Sequence, residues 1–127
     1  MSRKEVITNG LISFEGKVLN ITKSVIPNVN LIEIIGDEIS LKMDMIKNLL
    51  TVKTGDKVSI EISRKKPDYE EGRDFVAHGY VMTKKKEGNV NKVLISIWGY
   101  LLILTSKDEK LLSAFDYIDK VYIKISK

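Results

Sequence analysis

The chain has 127 residues, 43% hydrophobic and 30% charged, so residues 1–127 are expected to form one globular domain with its own core. It contains no cysteine and a single histidine, His78, which excludes disulfides, iron–sulfur clusters, thiolate zinc sites, a cysteine nucleophile and any Ser-His-Asp triad built on another imidazole. Its 21 lysines and arginines against 17 carboxylates leave a net charge of only +4, and arginine, the residue best suited to bidentate phosphate and guanine contacts, is scarce.

Period-two alternation of apolar and polar residues dominates from Leu11 onward, the pattern of half-buried antiparallel strands. The first run, Leu11–Lys23, is long, and Gly16 within it suggests a bulge that lets the strand bend. Ile26-Pro27-Asn28 turns it into a second run, Asn28–Ile35, and Gly36-Asp37 leads to a third, Glu38–Met45. The spacing of Met43, Ile46, Lys47 and Leu50 predicts one short helical turn over Met43–Leu50. After Thr54-Gly55-Asp56 comes Lys57–Ser63, with Val58, Ile60 and Ile62 on its core face. A charged, linker-like stretch, Arg64–Asp74, separates it from Phe75–Lys84. Glu87-Gly88-Asn89 marks a hairpin tip before Lys92–Trp98 and Leu101–Ser106, and Val121, Ile123 and Ile125 alternate in a last strand. Eight such segments predict an all-β fold. The long bent first strand favours a small closed antiparallel barrel of OB type, although periodicity alone is equally compatible with a sandwich. No leader pattern opens the chain and no apolar run is long enough to span a bilayer, so a cytoplasmic protein without membrane partners is expected.

From Leu41 onward the sequence resembles subunit 8 of the eukaryotic nuclear RNA polymerases and its archaeal counterpart, the polymerase G subunit. Four blocks carry the resemblance, in order and at similar spacing. They are Leu41-Lys42-Met43-Asp44-Met45-Ile46 with Gly55-Asp56-Lys57, then Phe75-Val76-Ala77-His78-Gly79-Tyr80-Val81, then Ile97-Trp98-Gly99-Tyr100-Leu101-Leu102, then Ala114–Tyr122. Two departures stand out: Tyr100 replaces the second glycine of the third block, and Arg64–Asp74 is much shorter than the eukaryotic loop, as suits the archaeal branch. The resemblance implies an OB-type barrel and a non-catalytic subunit of DNA-directed RNA polymerase, docked on the largest subunit and through it on the multisubunit core. It implies no cofactor, and a place beside the nucleoid.

The residues themselves nominate few sites. His78 shares its strand face with Val76, Tyr80 and Met82; without a second imidazole or a thiolate, it reads as a structural or interface histidine rather than a ligand or base. The acidic pairs Asp37-Glu38, Glu70-Glu71 and Asp116/Asp119 read as turn formers, and no glycine-rich phosphate cradle is present. Trp98, Gly99, Tyr100 and Leu101 are the preferred partner-contact element, because aromatics concentrate binding energy and glycine admits close approach; the bland alternative has Trp98 plugging one end of the barrel. The basic runs Arg64, Lys65, Lys66 and Lys84, Lys85, Lys86, near Phe75, Tyr80, Trp98 and Tyr100, suit weak contact with single-stranded nucleic acid or, more simply, solvated strand ends guarding an edge. Besides the polymerase subunit, two rivals therefore stand: a free-standing single-strand-binding module and, weakest, a small enzyme centred on His78.

Overall fold

A computed structural model describes residues 5–47, 52–71 and 73–127. Its strands are β1 (Val6–Thr8), β2 (Leu11–Lys23), β3 (Val29–Ile35), β4 (Ile39–Ile46), β5 (Lys57–Ser63), β6 (Phe75–Glu87), β7 (Val90–Ile97), β8 (Tyr100–Ser106) and β9 (Lys120–Ser126), with one short helix, α1 (Lys110–Ser113). Neighbouring strands run antiparallel in the order β2-β3-β4-β8-β7-β6-β9-β5, and β5 pairs back onto β2 to close the ring. This is the eight-stranded closed barrel expected of the OB type, with β1 added on β2.

Alternation decides which side chains fill it. Val58, Ile60 and Ile62 of β5 and Val121, Ile123 and Ile125 of β9 all point inward and are buried, as their period requires. Phe14, Leu41, Ile95 and Leu104 join them in one continuous core. The long β2 serves two neighbours: Leu11–Lys17 pair with β5 and Lys17–Lys23 with β3. The bend therefore exists, but its bulge lies between Val18 and Asn20 rather than at Gly16, which stays in register with Val58.

The helical turn placed at Met43–Leu50 is corrected. Met43–Ile46 continue β4, because Val29–Leu31 of β3 offer a full ladder to Asp44–Ile46 and pairing outweighs a weak helical spacing. Residues 48–50 lie outside the described residues. The helix stands instead at Lys110–Ser113, where it carries Leu111 and the following Ala114 and Phe115 into the core. Lys84 fastens its end, donating from Nζ to the carbonyls of Leu112 (2.9 Å) and Phe115 (3.0 Å). Strand bounds shift slightly elsewhere: β6 runs on to Glu87, β7 opens at Val90, and Trp98 leaves the strand for a turn.

Gly79 fixes how closely β6 approaches β7. A Cβ there would collide with the carbonyl oxygen of Ser96, which is backbone and has nowhere to go. Gly79→Ala is expected to force the two strands apart and cost about 1–3 kcal/mol or more, read as a lowered midpoint in a denaturant titration.

Candidate partner interface

The β7–β8 connection is the two-residue turn Trp98-Gly99, flanked by the pair Ile97 and Tyr100. Both turn residues have positive φ, 56° and 91°, the geometry that matches strand twist in a tight hairpin and that asparagine or glycine normally supplies. Gly99 meets it freely; Trp98 meets it against its own Cβ. The indole is 79% exposed, so Trp98 does not plug the barrel. A bulky aromatic in a left-handed turn, facing outward, is a local conflict of the kind found at functional positions.

The indole is nonetheless held. Its Nε1–H donates to Nε2 of His78 at 3.4 Å, with the two rings edge to face at 5.7 Å. His78 stands on the outer face of β6 with Val76, Tyr80 and Met82, as alternation predicts, and meets Tyr80 and, across the sheet, Tyr122 of β9. The result is an outward band of Trp98, His78, Tyr80, Met82 and Tyr122. Tyr122 belongs to it because Val121 and Ile123 face inward; that face was legible, whereas its register opposite His78 was not. Tyr100 is half-buried beside the turn, and Leu101 is partly exposed with its N–H reaching an Asp44 carboxylate oxygen at 3.4 Å. The turn residues Trp98 and Gly99 and the first two residues of β8, Tyr100 and Leu101, therefore lie together at one rim. Phe75 faces inward and is 9% exposed, which removes it as a stacking platform for bases.

The basic runs are spoken for to different degrees. Arg64 donates from Nε to Oδ2 of Asp119 (2.9 Å) and from Nη1 to Oδ1 of Asn9 (2.9 Å), reaches Asp116 at 3.7 Å, and lies over the Phe115 ring. It ties β5, the β1–β2 turn and the approach to β9 together. Lys84 holds the end of α1, Lys86 pairs with Glu109 at 2.6 Å, and Lys85 lies 3.7 Å from Glu87. Lys66 sits over the Tyr69 ring, and Lys65 is exposed.

Asp116 and Asp119 form a turn, as expected, and Asp119 does more. The N–H of Asp116 chiefly, and then the Arg64 guanidinium, hold its carboxyl below the ordinary 3.8 against some desolvation. The folded chain thus binds this proton less readily than the unfolded one. The contribution is full above pH 3.8 and fades as pH falls through the depressed folded value. Asp119→Asn should therefore lower the melting temperature at pH 7, with the gap to the unchanged protein narrowing as pH falls below 3.8.

Below His78 an outer cavity of about 380 Å³ is lined by Lys66, Tyr69, Glu71, Asp74 and Tyr122. Asp74 is held below its ordinary value chiefly by the Glu70 N–H, with Ser126 and Lys124 assisting, and is a fixed anion rather than a proton donor. Among the described residues, no three acidic or imidazole groups are placed to hold a metal ion, and no helix is long and apolar enough to cross a membrane.

The family model for the G subunit of DNA-directed RNA polymerase, RpbG, matches residues 11–127. The DNA-directed RNA polymerase subunit Rpo8 of Sulfolobus acidocaldarius is 29% identical over 114 residues, covering 87% of this chain and 93% of that one. The subunit of the same name from Saccharolobus solfataricus is 25% identical over 118 residues, covering 87% and 89%. A solved structure of a cytoplasmic molybdate-binding protein aligns over 90% of the chain at 12% identity and a TM-score of only 0.37, too distant to bear on fold or ligand. The match over nearly the whole barrel, from the start of β2 to the last residue, shows that the chain belongs to the RpbG family of DNA-directed RNA polymerase subunits.

Proposed function

We propose that the chain works as a non-catalytic small subunit of an archaeal DNA-directed RNA polymerase, docking on the largest subunit through the rim formed by Trp98, Gly99, Tyr100 and Leu101. Docking adds a rigid barrel to the core enzyme and stabilises its assembly in the cytoplasm, beside the DNA. The observation that carries this reading is Trp98 itself: an exposed indole held in a left-handed turn by His78, at a cost to the free chain that burial against a partner would repay. Family membership supports the polymerase as the assembly. The free single-strand-binding module has less behind it, since Arg64, Lys84, Lys85 and Lys86 already serve groups of this chain. Weak nucleic-acid contact through Lys65 and Lys66 is compatible with docking.

The test is photocrosslinking in the assembled polymerase from a benzophenone residue at position 98, with position 107, beyond the opposite end of β8, as the control. An adduct with the largest subunit from 98 and none from 107 is the expected result. Crosslinks from 107 alone, or to no polymerase chain, would contradict the docking rim.

A further inference from the structure

The barrel wall has a window under the Trp98 turn. In sheet order, β8 and β7 stand between β4 and β6, yet β8 pairs with β4 only as far as Met43, and β7 pairs with β6 only from Tyr80 onward. Asp44–Ile46 therefore have β3 on one side, and Phe75–Gly79 have β9 on one side; among the described residues, no strand fills the lane between them. A cavity of about 230 Å³ opens there, lined by Met43, Met45, Ile46, Phe75, Ile97 and Trp98.

The backbone direction along β6 is fixed by its neighbours. Val81 donates its N–H to Asp119 (3.0 Å) and accepts from Ile118 (2.8 Å), both on the β9 side. Direction alternates residue by residue in an antiparallel strand, so Gly79, Ala77 and Phe75 also face β9, while His78 and Val76 turn their N–H and C=O groups into the window. An edge of this kind is satisfied by another extended backbone and not by a helix, whose own polar groups are already used. The lip is apolar: Ile46 and Trp98, which both line the cavity, are exposed.

We infer that the window receives an extended segment of the partner subunit, which adds as a strand to β6 at Val76 and His78 and seats an apolar side chain in the cavity. The inference rests on the docking proposed above and names the element the partner contributes. The segment continues the lane that β7 leaves at Ile97, and Trp98 closes over its end.

Amide hydrogen exchange, read residue by residue in the free chain and in polymerase reconstituted with it, tests the alternation directly. The Val76 and His78 amides should slow by about 100-fold or more on assembly, while that of Ala77, already bonded to β9, changes little. Fluorine NMR of the chain's only tryptophan reports docking independently. Burial of Trp98 with the Val76 and His78 amides still exchanging freely would overturn strand addition and leave docking intact; failure to assemble at all would overturn both. Val76→Pro removes only a window-facing N–H and should weaken assembly by about tenfold relative to Val76→Ala. Equal assembly of the two would also overturn the inference. Should the proline variant fail to fold, the exchange experiment decides.

Discussion

Replacing Phe115 by alanine is expected to cost about 3–5 kcal/mol, the range for deleting a fully buried aromatic ring that its surroundings cannot collapse to fill. Collapse is blocked from several sides. The ring is completely buried, the Arg64 guanidinium covers it 5.7 Å from its centre, and its own carbonyl holds Lys84. Arg64 is in turn pinned by Asp119 and Asn9, and Gly10 donates to the neighbouring Ala114 carbonyl at 2.7 Å. The cavity should therefore persist, and Arg64 loses the face it lies on. In a domain of this size the loss corresponds to a fall in melting temperature of roughly 10–20 °C. Phe115→Leu, which keeps most of the volume, should lose less than half as much. A guanidinium titration showing Phe115→Ala within about 1 kcal/mol of the unchanged protein would mean that this end of the barrel is not packed as described.

The second large effect separates stability from function. Trp98→Gly should leave the isolated barrel as stable as before, or more stable by up to about 1 kcal/mol, because glycine adopts the positive φ of the turn without strain. It gives up one long hydrogen bond to His78 and little buried surface. The same change should weaken assembly with the polymerase by about 30-fold to 1000-fold, the loss of a central aromatic anchor. Competition of labelled and unlabelled chains for polymerase reconstituted without this subunit measures the second quantity, and thermal melting the first. A variant that melts lower and assembles normally would reverse both signs and reduce Trp98 to a surface residue.

How much of this was legible in the sequence follows from where each interaction originates. The strands carried their own alternation, so Lys57–Ser63 and Leu11–Lys23 could be bounded to the residue. β1 could not: Asn9-Gly10 is a hairpin signal, but Val6–Thr8 is too short to display a period. The helical spacing of Met43, Ile46 and Lys47 was real and lost to the β3 ladder, whereas the true helix is only four residues long. Alternation also put His78 on the face of Tyr80 and away from Phe75, as the barrel has it. What stayed hidden was long-range. The partners of Arg64 lie 55 residues away on either side, so its run looked like free positive charge. The window depends on where β7 and β8 stop pairing, a property of register that no local pattern encodes.

The central claim is that this barrel is a built-in part of a polymerase, held by protein contacts rather than by shared nucleic acid. Its most direct test is capture of the tagged chain from native lysate at about 0.5 M salt after nuclease treatment, with every co-purifying chain identified and quantified by mass. At that ionic strength the screening length is only about 4 Å, so a purely electrostatic tether to nucleic acid does not survive. The large polymerase subunits are expected in amounts equal to the bait. The bait alone, with single-stranded DNA or RNA returning only as salt is lowered, would contradict the claim.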